Sequence, residues 1–251
     1  MTFEKPENYL RGKDETKNRE EFRKFLNEQI SLPQEKWDEK FKLYAQKKYQ
    51  ELQEEVPERT MEEEQNINFE RYLKSFDISK EDLKNKRILD LGCGEGEFVK
   101  ECLDENISKE VYGLDLQINP EDFEGRYRKY FLKGNFQKEL PIENLDLIIS
   151  LGAVKAPFHE LDMNNPKTTI DLALKALKEN GEIRIFPLRK THPNNDLKGV
   201  EFSEKKWKET LKELVAENNI EYKICPIDIK VAGKNKDVWL EEVLIIKKSK
   251  T

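Results

Sequence analysis

Cysteine is nearly missing from this chain: Cys93, Cys102 and Cys225 are the whole set among 251 residues. The number is odd and no two form a CxxC pair, so neither a disulfide framework nor a zinc site is expected, no metal is implied, and a reducing compartment fits. Long apolar runs are also missing. No stretch approaches the ~18 apolar residues a membrane span needs, and the opening MTFEKPENYLRGKDETKNRE lacks the apolar centre of a secretory signal. A soluble, cytoplasmic protein is the expectation. Positive charge is not in excess either. With 45 Lys and Arg against 51 Asp and Glu, the net charge of −6 offers no footprint for bulk binding of a phosphate backbone. Histidine occurs only twice, at His159 and His192.

What is present divides near residues 57–79. Before that point charge is dense and Gly12 is the lone glycine. Phe22, Phe25, Leu26 and Ile30 follow helical spacing, and Trp37, Phe41, Tyr44, Ala45, Tyr49, Leu52 and Val56 make a longer stripe. A third helix is expected to carry Phe69, Tyr72, Leu73 and Phe76. Residues 1–78 therefore read as a helical extension that caps an acceptor site, with Trp37, Tyr44 and Tyr49 either lining that site or simply packing the helices. Residues 79–251 read as a separate domain.

In that domain short apolar runs alternate with helical segments. Strands are predicted at 87–91, 110–115, 128–134, 145–151, 182–188, 221–230 and 238–248, and helices at about 95–105, 166–179 and 203–218. Alternation of this kind implies an α/β fold, a doubly wound and mostly parallel sheet covered on both faces. The short turn near 232–237 makes the last two strands an antiparallel hairpin at the sheet edge. In KENG (178–181), glycine reads as a left-handed stop for the preceding helix.

Three of the 11 glycines fall within five positions, in ILDLGCGEGEF (88–98), directly after the first strand. A backbone without Cβ atoms can turn sharply there and let a ligand approach closely. The following helix start offers unpaired N–H groups to the crevice above the strand ends. Asp90 ends the first strand and Asp115, 25 positions later, ends the second. An acid at the second position can accept both hydroxyls of a ribose. The spacing D-x-G-x-G-x-G differs from the dinucleotide fingerprint G-x-G-x-x-G. Asp90 would repel a pyrophosphate and favour a cationic tail such as an α-amino group, which points to an amino acid joined to adenosine through a sulfonium.

Residues 87–248 thus resemble the class I, seven-stranded Rossmann-like S-adenosylmethionine-dependent methyltransferases. ILDLGCGEGEF resembles their first motif, VYGLDL their second, GNFQKELPIENLDLIISLGAV their third and fourth strand region, and ALKENGEIRIF their turn into the fifth strand. The resemblance implies S-adenosyl-L-methionine as cofactor. It assigns Gly92, Cys93 and Gly94 to the cofactor turn, Asp90 to the loop and the amino group, and Asp115 to the ribose. Leu116 is assigned to packing on the adenine, and Asn135 with Phe136 to the adenine region. Leu151 and Gly152 would border the methyl group. Asn135 departs from the family's acid and Glu95 from its threonine or serine, the latter expected to face solvent.

Methyl transfer asks the protein mainly to align an acceptor and exclude water. The loop after the fourth strand holds Lys155 and His159, the candidates for a base or an acceptor-binding group, and each also reads as an ordinary loop residue. That region shows Ser150-Leu151-Gly152-Ala153 in place of the Asn/Asp-Pro-Pro-Tyr turn of amino-group enzymes on adenine or glutamine. No cysteine follows a proline, as carbon-5 pyrimidine chemistry requires. An unidentified acceptor, a small molecule in preference to nucleic acid, is the expected partner. A cofactor-binding protein without turnover is the other reading. A nicotinamide oxidoreductase would need a different glycine spacing and a correctly spaced Tyr/Lys pair.

Overall fold

A single seven-stranded sheet organises the domain, in the order β3-β2-β1-β4-β5-β7-β6. The computed structural model describes residues 69–157, 160, 162, 164–188, 197–232 and 237–248. The chain divides into two units, Met1–Asn66 and Ile67–Thr251, and every described residue belongs to the second. The expected helices bearing Trp37, Tyr44 and Tyr49, together with His159 and His192, lie outside the described residues.

The described elements begin with α1 (Phe69–Phe76) and the single turn α2 (Lys80–Leu83), followed by β1 (Arg87–Leu91), α3 (Glu97–Asp104) and β2 (Glu110–Asp115). A 3-10 turn (Pro120–Asp122) and α4 (Gly125–Arg128) lead into β3 (Phe131–Lys133). Then come β4 (Leu145–Leu151), α5 (Pro166–Ala176), β5 (Leu177–Phe186), α6 (Leu197–Glu217), β6 (Ile220–Ala232) and β7 (Asp237–Lys248). Strands β1 to β5 pair in parallel. β7 is antiparallel to both β5 and β6, so the predicted hairpin exists, with β7 as its inner strand. Strand order reverses between β1 and β4, which puts a crevice at their carboxyl ends.

Burial explains the strands. β1 and β4 are almost continuously buried, as a central parallel strand covered on both faces must be. One face packs the aromatic-rich set Phe69, Tyr72, Phe76, Phe98 and Phe131, and the other an aliphatic set including Ile148, Ile170, Leu174, Leu214 and Leu244.

Helix α1 belongs to this sheet unit, whereas the sequence reading joined it to the N-terminal extension. Phe69, Tyr72 and Phe76 share one helical face, and all three are buried. Tyr72 stacks on Phe98 of α3 at 4.9 Å and Phe69 approaches the same ring at 5.6 Å. The helix end is fastened by Arg184 of β5, which donates to the carbonyls of Phe76 (2.5 Å) and Asp77 (3.1 Å) that have lost their helical partners.

Three local expectations are corrected. β3 is confined to 131–133, because 125–128 coil into α4 with Tyr127 donating to Asp104 at 2.7 Å. Helix α6 starts at Leu197, ahead of the predicted 203. The helix at 166 ends at Ala176, not 179, and KENG lies within β5. There the left-handed residue is Asn180 (φ 61°). Gly181 serves a different need: a Cβ would lie 2.9 Å from the Leu145 carbonyl and 3.1 Å from that of Lys178. The glycine lets a bulged β5 pass close to β4, where the pairing register shifts between Leu145 and Leu147. No helix among the described residues is long and apolar enough to cross a membrane.

Candidate functional site

The reversal between β1 and β4 brings two loop tips together. The β1 tip runs through Gly92-Cys93-Gly94-Glu95-Gly96 into α3, with Gly92, Gly94 and Gly96 all at positive φ. Gly92 is closed in: a Cβ there would lie 2.1 Å from the Cβ of Ala153 on the β4 tip. Gly94 is the opposite case, with nothing within 4 Å of a built Cβ, so its backbone faces open space. Glu95 is exposed, as expected. Gly96 caps α3 with no side-chain hydrogen bond, leaving the helix N–H groups available.

Sequence reasoning missed Ser150. Its hydroxyl donates to the Leu91 carbonyl (3.0 Å) and accepts from the Val154 amide (3.0 Å), tying the ends of β1 and β4 into one unit. A buried serine inside an apolar strand was the available signal, since a buried hydroxyl requires a partner.

Both acids stand by the turn. Asp115 is half-buried, and its carboxylate accepts from the amides of Gly94 (3.3 Å) and Gln117 (2.8 Å). It therefore fixes the turn while remaining at its edge. Asp90 is wholly enclosed. Its Oδ2 accepts from the Tyr72 hydroxyl at 2.9 Å, and its Oδ1 is buried with no hydrogen-bond partner among the described residues. Burial raises the Asp90 carboxyl to about 7, against the lowering effect of the Tyr72 bond; Asp115 and Glu97 add smaller upward pushes. Tyr72 is itself held well above an ordinary phenol by burial and by Asp90.

The other predicted residues divide. Leu116 is 59% exposed, an apolar surface beside Asp115. Asn135 is half-buried; its Oδ1 accepts from the Gln137 amide at 2.9 Å and keeps a second lone pair. Phe136 reaches within 3.8 Å of where a Gly92 Cβ would stand, so it packs beside the glycine turn. Two side chains do not face the crevice. Cys93 packs inward, its Sγ so close to Gly113 that a Cβ there would lie 2.6 Å away; burial also pushes its thiol up, so the turn offers only the Cys93 backbone. Leu151 is part of the aromatic core cluster, and Gly152 (φ 78°, open space at a built Cβ) takes the border position. Strand alternation is the reason: Leu151 points into the sheet's packed face.

Beyond Gly152 lies a shallow recess, partly open to solvent, bordered by Lys155, Ala156, Pro187, Ser203 and Trp207. Lys155 is exposed, whereas Trp207 is buried with its indole N–H unpaired among the described residues. Among the described residues no cluster of three or more metal-ligating side chains exists.

The family model described as "Methyltransferase domain" matches residues 82–243. No curated protein matches the chain. Similar solved structures include an S-adenosylmethionine-dependent methyltransferase from Clostridium acetobutylicum, at 14% identity over 74% of this chain and 94% of that one, with a TM-score of 0.49. Another S-adenosylmethionine-dependent methyltransferase, from Thermotoga maritima, is 17% identical over 72% of this chain and 94% of that one, with a TM-score of 0.42. An N-methyltransferase from Haemonchus contortus, solved with S-adenosylhomocysteine, is 14% identical over 71% and 51%, with a TM-score of 0.46.

S-adenosyl-L-methionine, the cofactor of class I enzymes, fits the residues present. The unpaired Oδ1 of Asp90 suits a nearby cationic amino group, the open space at Gly94 admits a close ligand, and Asp115 supplies an acceptor at the second strand tip. With its matched segment running from ahead of β1 into β7, the chain belongs to the methyltransferase-domain family.

Proposed function

We propose that this domain transfers a methyl group from S-adenosyl-L-methionine to a small-molecule acceptor. When bound, the cofactor supplies an electrophilic methyl group on a sulfonium centre. Asp115 would hold the ribose hydroxyls, Leu116 would cover one side of the adenine, and Asn135 with Phe136 would border the other. The backbone of Gly92, Cys93 and Gly94 would approach the amino-acid portion, with Asp90 as its anionic counterpart. The observation that carries this reading is the pair of carboxylates flanking a turn whose Gly94 faces open space.

The acceptor would stand beyond Gly152 on the β4 tip. Shielding from water and alignment are the chain's main contributions there. Lys155 would meet an anionic or polar part of the acceptor, and His159 is the other candidate for that role or for a base. An acidic total favours a small acceptor over nucleic acid. The cysteines, two buried and one half-buried, suit a reducing, cytoplasmic setting.

Titration calorimetry with S-adenosylhomocysteine tests the cofactor half. Asp115→Ala should weaken binding roughly 10–100-fold, the loss of charge-assisted hydrogen bonds to the ligand, and should lower thermal stability modestly through the two turn hydrogen bonds it also removes. Unchanged affinity in that variant would remove the basis of the assignment. Incubation with methyl-labelled cofactor and fractionated cell extract then tests transfer. Label in a low-molecular-weight product supports the acceptor class. Label in nucleic acid, or binding without transfer to any fraction, counts against it.

A further inference from the structure

Among the described residues, Tyr72 is the side chain that hydrogen-bonds to the enclosed carboxylate of the site. It comes from α1, ahead of the sheet, and it is 2% exposed. Its ring is fixed on both sides, stacked on Phe98 at 4.9 Å and tilted against Phe76 at 5.9 Å. The hydroxyl has little freedom and donates to Asp90 Oδ2 at 2.9 Å, leaving Oδ1 unpaired. A buried carboxylate with one donor and one orphaned oxygen is costly in isolation. It makes sense as one half of an arrangement completed by a cation.

Among the described residues, the charged and titratable groups acting on Asp90 supply no such cation. From α1 there is Tyr72, from β2 Asp115 and from α3 Glu97; the last two disfavour the carboxylate. Cys93 in the turn and Cys102 on α3 also sense it, and both thiols are pushed up by burial, so they stay neutral near pH 7. The Tyr72 bond alone works toward the ionised form.

We propose that Tyr72 is a positioning residue for cofactor capture: its hydroxyl holds the enclosed Asp90 as a carboxylate whose charge attracts a cationic amino group held over the glycine turn. The proposal rests on the cofactor assignment above. It gives α1 a role in the site that neither the glycine motif nor the strand tips reveal. It also makes capture of an amino-bearing nucleoside depend on pH, because a protonated Asp90 loses its attraction for an ammonium group.

Calorimetry on the full chain tests this with two ligands between pH 5.5 and 8.5. S-adenosylhomocysteine carries the ammonium group; methylthioadenosine keeps the adenosine and the thioether but lacks it. For wild type, affinity for the first should fall as pH drops below about 7, approaching tenfold per pH unit, while the second stays flat. Tyr72→Phe should move that fall upward by a pH unit or more, weakening S-adenosylhomocysteine at least about threefold at pH 7.5 and leaving methylthioadenosine unchanged. In an Asp90→Asn background, Tyr72→Phe should change neither ligand. An unmoved pH profile in Tyr72→Phe overturns the proposal. Equal weakening of both ligands also overturns it, because that is the signature of a merely structural tyrosine. If wild type binds neither ligand at any pH, the cofactor assignment itself fails.

Discussion

The two loop tips at the centre of the sheet are built on opposite terms. The β1 tip is fixed from every side: Gly92 lies against Ala153, Gly94 donates to Asp115, and Asp90 is sealed beneath with Tyr72. The β4 tip is held through Ser150, by the Gly152 amide donating to the Phe186 carbonyl (2.7 Å) and by Ala153 against Gly92. Its Gly152 Cα, however, faces open space, and the loop leads on to exposed Lys155 and a shallow recess. A cofactor that never changes can be met by a rigid, over-determined turn. An acceptor is met where constraint ends, which is why one fold can serve many acceptors.

The sharpest way to break this comparison is to discharge the sealed side. Asp90 would ionise near 3.8 in an unfolded chain but near 7 in the folded one. Between those values the folded state holds the extra proton, so this residue's contribution to stability falls as pH rises from about 4 to about 7. A shift of that size corresponds to roughly 4 kcal/mol. Urea denaturation of wild type and Asp90→Asn at pH 4.5 and 7.5 should show the variant gaining on wild type at the higher pH. A gap independent of pH would mean that Asp90 is not enclosed.

Next in size is the contact between the tips. Gly92→Ala must push two Cβ atoms apart and hold alanine at φ 75°, at an expected cost of about 3 kcal/mol in unfolding free energy. Adding Ala153→Gly should return the part due to the clash and leave the part due to backbone strain. No rescue would show that the two loops do not touch.

The smallest stability effects should come from the open glycines, and there the tips should separate by function. Gly94→Ala and Gly152→Ala each meet only the backbone strain, about 1–2 kcal/mol. Gly94→Ala should weaken S-adenosylhomocysteine binding measured by calorimetry. Gly152→Ala should leave that binding near wild type. Equal effects on affinity would erase the division between a cofactor tip and an acceptor tip.

Much of this was readable in the chain itself. Glycine crowding after RILDL, with acids 25 positions apart, marked the turn, because a sharp bend without Cβ atoms and an acceptor at the next strand end are local requirements. Apolar runs marked the central strands β1 and β4 most plainly, because central parallel strands are buried on both faces. Local pattern failed at residues 177–181, where a helix stop and a strand bulge use the same residues, and only the passing Leu145 carbonyl distinguishes them. It also failed at Tyr72, whose helical spacing spoke for core packing and was silent on where the hydroxyl ends.

The sequence by itself determined the family and the glycine turn with its two flanking acids, since both follow from residue types a few positions apart. Only the tertiary structure decided that Asp90 is enclosed, that Tyr72 is its partner across 18 residues, and that Leu151 turns inward while Gly152 faces out. Those outcomes depend on which side chains from distant segments exclude water from a given atom, and exclusion of water is a property of the packed whole.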